Sequence, residues 1–137
     1  FARLDGRVPY AISLGNHDFS NNGKEITRDT LAHNYFPVSR FKKWSNFGRP
    51  MELDKIDNTF HMFYVSGQDY LILCLEYGPR NEAVEWANQI VEKHPGHKVI
   101  VMTHAYLYSD STRYDWENKK RTQRWSPHND YDKLGIT

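Results

Sequence analysis

Two unbroken apolar runs with an amphipathic segment between them constrain this chain more than any other feature. The runs are Tyr70-Leu71-Ile72-Leu73-Cys74-Leu75 and Val99-Ile100-Val101-Met102. Continuous apolarity without alternation marks strands buried on both faces. Between them, Asn81 to Lys93 places Ala83, Val84, Ala87, Ile90 and Val91 on one helical face, and Trp86 widens that stripe. Glu85, Gln89, Glu92 and Lys93 lie largely off it. Asn81 offers a cap, Glu82 suits the positive end of the helix, and His94-Pro95-Gly96 ends it. Asp69 to Thr103 therefore reads strand, helix, strand. Such a crossover makes the two strands parallel members of one sheet. The fold class is α/β, with a mixed or parallel sheet and flanking helices.

The remaining segments attach to this unit. Val8 to Leu14 reads as a strand, because Tyr10, Ile12 and Leu14 alternate with Ala11 and Ser13 before Gly15 stops the run. Asn16 to Gly23 is turn-rich. A helix is expected from Lys24, with Ile26, Leu31 and Tyr35 roughly on one side and Pro37 ending it. Val38 to Trp44 reads as a short helical turn, and Asn46 to Asp57 as a surface loop. Thr59 to Val65 and Asp69 to Leu75 form a hairpin across Ser66-Gly67-Gln68. Ala105 to Thr137 shows no helical or strand period. Loops of that length in compact domains are usually functional or disordered.

Composition excludes several classes. Eighteen Lys and Arg against 17 Asp and Glu leave a net charge of +1. That balance opposes a strongly basic nucleic-acid binder. Lys119-Lys120-Arg121 and Arg124, near Trp116 and Trp125, are offset by Asp115, Glu117, Asp130 and Asp132, so this stretch reads as a solvated loop. No run approaches the ~18 apolar residues of a transmembrane helix. The single cysteine, Cys74, excludes an intrachain disulfide framework and a multi-cysteine zinc site. The 137 residues are 39% hydrophobic, lean for a globular domain, and begin at Phe1 rather than Met. Both features fit a chain cut from something longer.

Polar groups collect where the expected strands end. Val8 to Leu14 runs into Gly15-Asn16-His17-Asp18, the Tyr70 strand into Glu76-Tyr77-Gly78-Pro79-Arg80, and the Val99 strand into Thr103-His104. In α/β sheets, ligands bind at the carboxyl ends of parallel strands. The Gly-Asn-His-Asp string after its strand, followed later by a buried strand and a His, resembles two blocks of the calcineurin-like metallophosphoesterase superfamily. The likeness spans Pro9 to about Ser109. Glu76 to Arg80 and Thr103 to Tyr108 resemble a bacterial, often extracytoplasmic, branch.

The resemblance implies a two-sheet α/β sandwich, and a parent protein that hydrolyses a phosphate mono- or diester with two metal ions of Fe, Mn or Zn type. It implies that Asn16 and His104 ligate the second metal. It implies that His17 protonates the departing alkoxide or steadies the phosphoryl oxygens, and that Asp18 accepts a hydrogen bond from its other ring nitrogen. Gly15 is expected to supply conformational freedom for the turn. Arg80 fits a phosphate contact or a salt bridge near the helix start equally well. Tyr106, Tyr108, Asp110 and His128 are candidates for lining a substrate pocket or for an aromatic surface loop. His33 and His61 have no motif context.

The family's Asp-x-His and Gly-Asp blocks are missing before Gly15, and its Gly-His-x-His block is missing after His104. Residues 1–137 are therefore expected to be the central part of a single domain, truncated at both ends and inactive alone. The rival reading is a non-catalytic binding module that keeps the fold and half of the metal site.

Overall fold

The computed structural model describes residues 1–19, 28–104, 107 and 110–112. Its centre is a four-stranded mixed sheet: β1 (Phe47–Pro50), β2 (Thr59–Val65), β3 (Gln68–Cys74) and β4 (Lys98–Met102), in that spatial order. Strands β1 and β2 are antiparallel, β2 and β3 are antiparallel, and β3 and β4 are parallel. Helix α3 (Asn81–Glu92) makes the crossover between the parallel pair. Single-turn helices α1 (Ala32–Tyr35) and α2 (Val38–Phe41) precede β1.

The hairpin forms where its turn chemistry allows. Val65 pairs with Gln68, leaving Ser66 and Gly67 as the two loop residues. Both have positive φ, 50° and 84°, the conformation whose twist matches the flanking strands. Alternation then sorts the sheet's two faces. Phe60, Leu71, Leu73 and Leu75 pack with Ala87 and Ile90 of α3. On the other side, His61 sits against Phe41 and Phe47. A second core there joins Leu14, Phe19, Val38, Phe41, Ile56 and Tyr77.

Four expectations need correction. Residues 8–14 are extended but belong to no ladder among the described residues. Their tie to the sheet is Ser13 Oγ, which donates to the Leu75 carbonyl at 3.0 Å, while Tyr10, Ile12 and Leu14 supply side chains to the second core. The expected surface loop at 46–57 contains strand β1. Gly48 and Pro50 disguise it, and both are tolerated because β1 is a sheet edge with an irregular register. The helix expected from Lys24 is one turn, Ala32–Tyr35, among the described residues. An isolated antiparallel bridge joins Phe19 to Thr30, just before that turn. Finally, β4 is not buried. Among the described residues it is the other sheet edge, and Val99, Ile100 and Val101 are exposed.

Candidate metal centre

The parallel pair carries the chain toward one edge. Beyond β3 and β4, Leu75 N donates to the Met102 carbonyl at 2.8 Å, extending the pairing by one residue. Thr103 Oγ1 then donates to the Glu76 carbonyl at 3.2 Å, which fixes where His104 leaves the sheet. The extended segment anchored through Ser13 arrives at the same place. It turns into a single 3-10 turn, Asn16–Asp18, in which Asp18 N donates to the Gly15 carbonyl at 3.0 Å. The Asp18 carboxylate closes the turn by accepting from Gly15 N at 2.8 Å.

These two exits bring together residues 88 apart in sequence. Asn16 Oδ1 and His104 Nε2 lie 3.0 Å apart. An amide oxygen only accepts, so the hydrogen bond puts the imidazole proton on Nε2. Two ligands each about 2.1 Å from one ion and at right angles are themselves about 3.0 Å apart. The pair thus has the spacing of one edge of a coordination polyhedron, and an amide oxygen with an imidazole nitrogen suits a divalent transition metal. Among the described residues no group of three or more His, Cys, Asp or Glu could hold a metal ion. Asn16 and His104 fit as part of a ligand set and do not complete one.

Gly15 serves this pair by its size. Its φ of −97° and ψ of 173° are ordinary extended backbone, so the turn does not draw on glycine's freedom. A Cβ there would meet His104 Nδ1 at 3.3 Å. The missing side chain lets the His104 ring approach the backbone.

His17 and Asp18 of the same turn are exposed, whereas Asn16 is buried. His17 and Asp18 line a cavity of about 850 Å³ with Leu14, Thr30 and Leu31, whereas His104 lines a separate one of about 740 Å³ with Ser13 and Met102. Among the described residues, the Asp18 carboxylate is bonded to the Gly15 amide and not to the His17 ring. Arg80 takes the salt-bridge alternative. Its guanidinium bonds Glu76 at 2.9 Å and 3.1 Å and Glu52 at 3.0 Å. Tyr106 and His128 lie outside the described residues.

The structure adds a buried carboxylate that the motifs did not assign. Glu76 is fully buried. It accepts from Arg80 Nε and from Arg80 N at 3.0 Å, and from Asn58 Nδ2 at 2.9 Å, and it pairs with Arg28 at 3.3 Å. Burial alone would push its carboxyl up, but hydrogen bonds from Arg80, the Arg28 charge and Asn58 hold it below the usual range. Its sequence signal was an acid placed directly after an apolar strand. Asn81 does not cap α3: Arg80 is the N-cap residue, with no side-chain cap bond.

The chain resembles a curated relative, the uncharacterized protein YvnB of Bacillus subtilis, with 27% identity over 106 residues, covering 77% of this chain and 8% of that protein. No solved structure matches. The chain thus spans under a tenth of that relative's length. A sequence model of calcineurin-like phosphoesterases matches residues 1–134. The strand exits, the Asn16–His104 pair and this match together establish that the chain belongs to the calcineurin-like phosphoesterase family.

Proposed function

We propose that the protein carrying this chain hydrolyses a phosphate mono- or diester, with Asn16 and His104 among the ligands of one of two metal ions. The family is in general one of metal-dependent phosphoesterases. The observation that carries the reading is the 3.0 Å approach of Asn16 Oδ1 to His104 Nε2. Metal ions of such a site lower the pKa of bound water and stabilise charge on phosphoryl oxygens. Asn16 holds a cation without adding a negative charge that would repel phosphate. To ligate through Nε2, the neutral His104 ring would carry its proton on Nδ1 instead. His17, exposed in the turn, is assigned to protonate the departing alkoxide. Asp18 fixes the turn that presents His17. Among the described residues Asn16 and His104 do not complete a ligand set, and residues 1–137 alone are assigned no turnover. By the same resemblance the protein is assigned an extracytoplasmic location.

Hydrolysis of an aryl phosphate monoester and a diester by the full-length protein tests this. Chelator-sensitive turnover is expected, reduced ~100-fold or more by His17→Ala and lost in His104→Ala. A metal-loaded, folded wild type that turns over neither ester supports the binding-module reading instead. Chelator-sensitive turnover by residues 1–137 alone would overturn the assignment of an incomplete site.

A further inference from the structure

The geometry points to Glu76 as the positioning residue that sets His104 for its role, an inference that rests on reading His104 as a metal ligand. Glu76 makes no hydrogen bond or ion pair with His104 or Asn16. It acts through two short links.

The first link is the backbone. The Glu76 carbonyl accepts from Thr103 Oγ1 at 3.2 Å, so the residue before His104 is tied to residue 76. The second is the next side chain. The Tyr77 ring lies against the His104 ring, centroids 5.7 Å apart and planes at 59°. Tyr77 is itself nearly buried in the second core. The imidazole is thus bounded on three sides: by Asn16 at Nε2, by the Gly15 backbone near Nδ1, and by Tyr77 on a ring face.

The Glu76 carboxylate determines where Tyr77 lies. Arg28 binds the same stretch of chain three times: its Nη1 contacts the carboxylate at 3.3 Å and donates to the Tyr77 carbonyl at 3.3 Å, and its Nη2 donates to the Gly78 carbonyl at 2.9 Å. Arg80 closes the loop from the other end by donating its backbone N–H and guanidinium to the same carboxylate. Asn58 grips both ends of Glu76, donating to its carboxylate and accepting from its N–H at 3.0 Å. Gly78, with φ of 55°, allows the reversal this requires. Four hydrogen bonds fill the carboxylate's acceptor sites, Arg80 N and Nε on Oε1 and Arg80 Nη2 and Asn58 Nδ2 on Oε2, and the Arg28 charge adds an ion pair at 3.3 Å. A glutamine cannot accept all four, because its amide N–H₂ would face donors on either side, Arg80 Nη2 and Asn58 Nδ2 at the Oε2 position or Arg80 N and Nε at the Oε1 position. Buried charge of this kind adds little net stability. What it adds here is a fixed path from strand end to ligand ring.

Outer-shell partners of metal-bound histidines typically contribute about 10–100-fold to metal affinity. The test compares full-length wild type, Glu76→Gln and Tyr77→Leu, the last leaving the carboxylate network in place. Zn²⁺ affinity is measured by chelator competition, and His104 acylation by diethyl pyrocarbonate is measured in the metal-free proteins by peptide mass spectrometry, with His97 as internal reference. Both variants are expected to bind Zn²⁺ about tenfold or more weakly and to acylate His104 faster relative to His97. If Glu76→Gln does not fold, Arg28→Met, which cuts the tie from the Glu76 carboxylate to the Tyr77 and Gly78 carbonyls, takes its place under the same two readouts. Folded variants with wild-type affinity and wild-type acylation overturn the proposal. A wild type that binds no Zn²⁺ removes the ligand reading, and the acylation ratio still decides whether Glu76 and Tyr77 position the ring.

Discussion

At the residue scale, chemistry and packing assign different jobs to residues of the same type. His104 is exposed and meets Asn16, whereas His61 is 1% exposed and has aromatic rings of Phe41 and Phe47 around it. Burial pushes the His61 imidazole down to about 4 from an ordinary value of ~6.5. Between those values the unfolded chain binds a proton that the folded chain refuses. Stability from this source is therefore complete above pH ~6.5, falls as pH drops toward ~4, and is level below; its size is at most about 3 kcal/mol. Urea denaturation across that window should show wild type losing stability relative to His61→Leu. Parallel pH profiles for the two would contradict the assignment. The sequence showed His104 through its strand and its motif. It could not show that His61 is buried, because the alternation of Phe60, His61 and Met62 suits either face until the partners on each side are known.

At the element scale, legibility follows how local the determining interactions are. The hairpin and the β3–α3–β4 unit were readable because turn residues, apolar runs and helical periodicity all lie within Thr59 to Thr103. Strand β1 was not, because what makes it a strand is pairing with β2. Gly48 shows this dependence directly. A Cβ there would fall 2.1 Å from Phe60 Cε2, and the Phe60 ring is buried between the sheet, Trp86 and His94. The glycine that reads as a loop residue is the gap that admits a core ring. Gly48→Ala should cost about 1–3 kcal/mol, as overpacking does, with a matching fall in Tm by calorimetry. An unchanged Tm would show that the edge strand can slide away from the ring. The segment 8–14 failed in the opposite sense: its alternation was real and packs Tyr10, Ile12 and Leu14 inward, but no ladder forms along it among the described residues.

At the scale of the whole molecule, the sheet works as a frame that delivers two distant polar turns to one edge. Parallel pairing of β3 and β4 aligns Glu76 with Thr103, and Ser13 locks the extended N-terminal segment onto Leu75. The candidate site was legible as polar residues closing three apolar segments, two of them strands in the structure; its supporting network was not, since Arg28, Asn58 and Arg80 converge on Glu76 only in three dimensions. No helix among the described residues is long and apolar enough to cross a membrane. The central claim is that Asn16 and His104 together hold metal. Its most direct test is the metal content of the full-length protein by plasma mass spectrometry after gel filtration, wild type against the Asn16→Ala/His104→Ala double variant. The account predicts bound transition metal in the wild type and a clear loss in a double variant whose Tm stays close to wild type. Equal metal content in the two folded proteins would contradict it.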